Sequence, residues 1–189
     1  MATNFKTDFK NSRNWFSRFV VPALRVFGFD NVISVEKHDS KLECSLDFAG
    51  VDALATDKDG ATMTLASRII QRKPNCGDYD CFSLRDSRST GYQTEFEKLK
   101  RAIEKNSLRP LWHCQTFVDL EKETATCSIV RTNALVQFLD VDNPKTKTTS
   151  DGTTFRLAPW NDLIRAGVDV RTIKIGVDGK KIKPIAAIL

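Results

Sequence analysis

Hydrophobic residues recur along this chain in two rhythms, one of three to four residues and one of two. The slower rhythm comes first. Trp15, Phe16, Phe19, Val20, Ala23, Leu24 and Phe27 form one apolar stripe and predict a helix over Asn11–Gly28. Ser12 can cap its start, Gly28 can stop it, and Pro22 should kink it or begin a second helix. Alternation follows. Asn31–Lys37 predicts a strand, and so does Lys41–Asp47, with Leu42, Cys44 and Leu46 on one face and Glu43, Ser45 and Asp47 on the other. Asp39 and Ser40 suit the turn between them. Gly50 suits a bulge before the strand Val51–Ala55. Lys58-Asp59-Gly60 is a hairpin signal leading into the strand Ala61–Gln71.

The second half alternates between the same rhythms. A polar loop, Arg72–Tyr79, precedes a short strand at Cys81–Arg85. Thr94 and Glu97 have the spacing of a capping box and open a helix over Thr94–Asn106. Phe96, Leu99 and Ile103 face inward there, and Lys98, Lys100, Arg101 and Lys105 face out. Pro110–Leu120 and Thr124–Arg131 read as a strand pair, followed by a short helix at Thr132–Asp140. Asp142–Gly152 is polar and linker-like. A strand at Thr154–Leu157, a helix begun by Pro159 and ended by Gly167, and a hairpin around Asp178-Gly179 complete the chain. The expected division is a core domain over 1–141, a linker-like loop over 142–153, and a C-terminal appendage over 154–189 that packs on the core. The expected class is α/β, in the α+β sense.

Composition changes this picture little. The 189 residues are 41% hydrophobic and 28% charged, ordinary for a globular protein. The net charge of +5 permits a nucleic-acid partner without requiring one. No apolar run is long enough to span a membrane, and the N-terminus lacks the apolar core of a signal peptide, so a cytoplasmic address is expected. Five cysteines, an odd number, suit reduced thiols. Cys76 and Cys81 make one loose pair and His113 adjoins Cys114, but a zinc site needs two tight ligand pairs.

The chemistry is concentrated in Leu46–Arg72. Phosphodiester hydrolysis needs carboxylates around a hard cation and a positive group near the developing charge. Residues two apart share a strand face, so an acid on one strand and an acid two residues before a base on the next can build such a site. Asp52, then Ala66 and Arg68, occupy those places. Ala66 cannot bind a metal, and Arg68 can clamp phosphate but cannot act as a base.

The order of elements over Asn11–Leu120, with GVDALA at 50–55, TLASRI at 64–69 and QTEFEKL at 93–99, resembles the PD-(D/E)XK nuclease superfamily. The composite is similar to uncharacterised phage and mobile-element proteins of the nuclease-like type. The resemblance implies a restriction-endonuclease-like central mixed β-sheet flanked by helices. It also implies Mg²⁺- or Mn²⁺-dependent cleavage of nucleic acid, with DNA the expected substrate. Asp52 matches the first metal-binding Asp, and Arg68 stands at the Lys position. Some members take the second acid from the following helix, where Glu95 lies; Asp47, Glu36 and Glu43 are further candidates. Metal would then fall to Asp52, Glu95 and Asp47, catalysis to Asp52, Arg68 and Glu95, and phosphate contact to Arg72, Lys73, Arg85 and Arg88. Many relatives dimerise to cut two strands, so a homodimer is one expectation, and a membrane partner is not expected.

Each residue also has a plainer reading. Asp52 can cap a turn or pair with Arg68, and Glu95 can simply favour a helix N-terminus. Arg85 and Arg88 can be solvated, His113 packed, and Trp112 and Trp160 core. Three functions stay open: a metal-dependent DNA endonuclease, a non-cleaving relative that binds nucleic acid or a protein, and a structural protein whose acids serve stability.

Overall fold

A computed structural model describes residues 14–35, 40–72, 80–87, 93–178 and 181–188. Ser12, Glu36, Asp39, Lys73, Cys76, Arg88 and Gly179 lie outside the described residues. The first helix, α1, runs as a π-helical turn over Phe16–Val20 and as an α-helix over Val21–Val26. Pro22 sits at the junction of the two segments, where it supplies no N–H to the helical ladder. Strand β1 (Asp30–Ser34) follows.

The next element corrects the sequence reading. Lys41–Phe48 is a helix, α2, not a strand. Ser40 Oγ accepts the Glu43 N–H at 3.2 Å, and Glu43 Oε2 accepts the Ser40 N–H at 2.9 Å, a complete capping box. Only Leu46 is buried; Leu42 is 65% exposed, so the alternation does not mark a sheet face. Gly50 ends the helix at φ +78, where its N–H reaches Asp47 and the Val51 N–H reaches Leu46. That double bond needs a left-handed residue, which glycine adopts without a Cβ clash.

Strands β2 (Ala53–Thr56), β3 (Thr62–Gln71) and β4 (Cys81–Ser87) lead to helix α3 (Glu95–Glu104). The capping box expected at Thr94 and Glu97 is present. Strands β5 (Trp112–Asp119) and β6 (Thr124–Arg131) precede helix α4 (Thr132–Leu139). The stretch expected as a linker carries β7 (Thr146–Thr148), which pairs with β8 (Thr154–Pro159). Asp151 closes their turn by accepting from Thr149 Oγ1 at 2.5 Å and from the Thr153 N–H at 3.1 Å. Helix α5 (Trp160–Arg165), β9 (Val170–Asp178) and β10 (Lys181–Ile188) finish the chain.

The fold is mixed α/β around a central mixed sheet of order β1-β2-β3-β5-β6-β9-β10. Every pairing in it is antiparallel except β3 with β5. A parallel pair requires a crossover, and β4 with α3 forms it. A second, antiparallel sheet has the order β4-β8-β7. Residues 154–189 therefore supply strands to both sheets, β8 against β4 and β9 against β6.

The β3–β5 register sorts the side chains. Leu65 and Ser67 lie beside Trp112 and Cys114 on one face; Ala66 and Arg68 lie beside His113 and Gln115 on the other. Helix α1 seals the first face with Phe16, Val20 and Leu24. The second face is covered by α3, α4, α5 and the smaller sheet, around Phe82, Phe96, Leu135 and Trp160. That cover stops short of Ala66 and Arg68, and a cleft opens there.

Candidate active site

Asp52 stands at the entry to β2, just after the α2 terminus. Its backbone N–H bonds Leu65 at 2.8 Å, which ties the residue to β3. Its Oδ2 accepts the Ser67 N–H at 2.6 Å, so the carboxylate lies over β3 in a fixed orientation. Arg68 extends from β3 on the cleft side. Its guanidinium donates to Glu95 Oε2 at 2.5 Å and to Ser83 Oγ at 3.3 Å. Glu95 opens α3, and the same Oε2 accepts the Arg85 backbone N–H at 3.1 Å. The Arg68 and Glu95 side chains are 21% and 27% exposed, so the pair is largely shielded yet reachable.

These residues line one open cleft of about 400 Å³ together with Asp47, Arg85, Lys98 and Phe48. Five sequence-derived candidates, Asp47, Asp52, Arg68, Arg85 and Glu95, thus share a single concavity. Arg68 takes Glu95 as its carboxylate partner, which is not the Asp52 pairing weighed from sequence. Arg72 lies apart, in a neighbouring cleft, and pairs with Asp80 at 3.2 Å. Lys73 and Arg88 lie outside the described residues.

Two residues of the cleft escaped the sequence reading. Lys98 was placed on the outer face of its helix. It is one turn beyond Glu95, and that spacing was the available signal. Phe48 sat on a segment misread as strand; it is 78% exposed, with Lys98 Nζ 5.0 Å from its ring centroid.

His113 forms part of the cleft wall but is only 1% exposed, against Phe82 at a centroid distance of 6.0 Å. Burial drives its pKa down to about 4; Glu95 opposes that fall and Arg68 adds to it. The ring is therefore a neutral, packed imidazole near neutral pH. Cysteine chemistry is suppressed in the same way. Burial lifts the Cys81 thiol to about 11 and the Cys114 thiol to about 12, so neither is a ready nucleophile.

The cleft lining carries three carboxylates. Magnesium is commonly held by one or two carboxylates, with water and substrate phosphate completing its oxygen shell. Asp52, Asp47 and Glu95 bring carboxylate oxygens to one space. They do not make a closed protein cage: among the described residues, no group of three His, Cys, Asp or Glu side chains stands ready to enclose a metal.

Compared with known proteins, the chain matches no protein-family model, no curated protein and no solved structure. Among the described residues, no helix is long and apolar enough to cross a membrane.

Proposed function

We propose that the chain is a divalent-metal-dependent endonuclease of the PD-(D/E)XK kind that hydrolyses phosphodiester bonds in DNA. One observation carries this reading. Asp52, Arg68 and Glu95 come from three separate elements and converge on one cleft. The antiparallel β1-β2-β3 run, followed by a helix and a strand parallel to β3, supports the same family expectation.

Asp52 and Glu95 would hold Mg²⁺ or Mn²⁺, with Asp47 at the rim. A bound ion would polarise the scissile phosphate and acidify a water. The remaining work falls to the chain. The Ser67 N–H pins the Asp52 carboxylate, and Arg68 with the Arg85 N–H pins that of Glu95, so both acids are preorganised. Arg68 steadies negative charge on the phosphate through its planar guanidinium and does not serve as a general base. Lys98 and Arg85 add two cations that draw the strand in.

A second reading has its own support. Ala66 leaves the β3 acid position empty of oxygen, and the Arg68–Glu95 bond already satisfies Glu95. A protein so built can bind nucleic acid without cutting it. Nicking of supercoiled DNA with Mg²⁺ or Mn²⁺ decides between them. The first reading expects cleavage that falls at least about a hundredfold in Asp52→Ala and in Glu95→Ala. Salt-dependent binding without cleavage selects the second. Neither binding nor cleavage of DNA or RNA removes both.

A further inference from the structure

Beside the acid cleft lies a second one, of about 560 Å³, between the β3–β5 strands and the smaller sheet. The two clefts share Arg68, Ile69 and Arg85 in their walls. Their characters differ. The second is lined by Arg68, Arg72, Arg85 and Lys147, with no acid among its described lining residues. Its other walls mix apolar and aromatic residues, Ile70, Phe117, Phe155 and Leu157 among them, with the polar Ser83, Gln115 and Thr149. Arg68 and Arg85 hold their Cζ atoms 5.1 and 5.8 Å from the Phe155 ring centroid. A cationic, aromatic hollow of this kind suits a flat, anionic molecule.

Gln115 adds an edge contact. It is 0% exposed, and its Oε1 accepts from the Ser83 N–H at 3.0 Å and the Ser83 hydroxyl at 3.3 Å. Those two bonds fix which end of the amide is oxygen. The other end, Nε2, has no partner among the described residues, an unspent donor in a residue of the cleft lining. At the mouth of the acid cleft stands the third element, the exposed Phe48 ring with Lys98 beside it.

We propose that these parts read unpaired bases, so that the strand entering the acid cleft is single-stranded. The inference rests on the nuclease-like reading of that cleft and names its substrate class. One base enters the second cleft against Phe155 and offers an acceptor to Gln115 Nε2. A neighbouring base stacks on Phe48. The phosphate between them passes Arg68 and Arg85, the residues common to both clefts. Bases in a duplex are already stacked and paired, and present neither a free face nor a free pairing edge.

The test is fluorescence anisotropy on the full chain, with EDTA present to prevent cleavage. The probes are a labelled oligothymidylate and a duplex of equal length at the same salt. The expected result is binding of the single strand about tenfold tighter than the duplex. Phe48→Leu and Phe155→Leu each weaken the single strand by about fivefold or more and change the duplex by less than about twofold. Phe48 is exposed, so its variant folds even if the Phe155 variant does not. Equal or tighter duplex binding overturns the inference, as does an equal loss on both probes. Equal binding of the two probes here, with duplex cleavage in the Mg²⁺ or Mn²⁺ nicking assay, overturns this inference alone and leaves the nuclease reading standing. No binding to either probe overturns both.

Discussion

The two faces of the central sheet are built from the same strands and have opposite characters. On the face under α1, Leu65, Trp112, Cys114 and Ile129 meet Phe16, Val20 and Leu24 in one hydrophobic cluster. One residue along each strand, Ala66, Arg68, His113 and Gln115 point the other way, into a region of ion pairs and hydrogen bonds. Hydrophobic packing continues beside them on that face, with Phe82 against His113 and Phe117 and Val130 further along. A sheet can therefore be sealed by a helix on one face and hold an open, charged cleft on the other. The polar face is not a poorly made core. Arg68, Ser83, Glu95 and Gln115 are joined in a linked network, with Gln115 Nε2 left as an open donor among the described residues.

The comparison breaks most visibly through the sealed face. Phe19 is 1% exposed, and Phe19→Ala should cost about 3–5 kcal/mol in urea unfolding. Cleavage per folded molecule should stay unchanged. A variant that kept its stability would show that α1 does not carry that face. On the cleft face the effect should invert. Asp52→Ala should remove cleavage by two to three orders of magnitude, on the scale of other lost preorganised groups. It should cost less stability than Phe19→Ala, with about 1.5–3 kcal/mol coming from the lost charge-assisted bond to the Ser67 N–H.

His113 links the two characters, being a titratable ring held as core. Its folded pKa, about 4, lies below its ordinary value of 6.5. Between those values the unfolded chain binds the extra proton. The stabilisation is therefore complete above about pH 6.5 and is lost as pH falls toward 4, by roughly 3 kcal/mol in all. In His113→Leu, thermal denaturation followed from pH 7 to 4 should lose that component of the slope. An unchanged slope would mean that other groups set it.

The smallest effect lies at the rim. Ser40→Ala removes the α2 cap and should cost about 1 kcal/mol. Because α2 carries Asp47 and Phe48 to the cleft mouth, single-strand binding should weaken slightly while duplex binding holds. A purely structural cap would leave the two probes in constant ratio.

The sequence made much of this legible, and the failures have physical causes. Strands β3, β5 and β6 were legible from alternation and length, and α3 from Thr94 and Glu97. That Asp52, Arg68 and Glu95 share one cleft was legible because their placement follows from local order: an acid at a strand start, a base on the next strand, an acid at a helix start. Lys41–Phe48 was misread because Leu42 and Leu46 satisfy a helical spacing of four as well as an alternation of two. The Ser40-x-x-Glu43 capping box, which breaks that tie, was overlooked. The 142–153 stretch was polar enough to resemble a linker, yet Asp151 builds a hairpin turn in it. Gln115 and Phe155 gave no sign of a shared hollow. Their neighbourhood exists only once β8 pairs with β4 and β4 packs over β5, and that pairing is long-range.

The central claim is that Asp52 and Glu95 hold a divalent ion beside Arg68. A crystal soaked in Mn²⁺ and examined by anomalous diffraction tests it most directly. The account predicts a peak between the Asp52 and Glu95 carboxylates, the ion held through Glu95 Oε1 while the bond from Arg68 to Glu95 Oε2 stays in place. A crystal with no manganese at the cleft, even with an oligonucleotide bound, would contradict it.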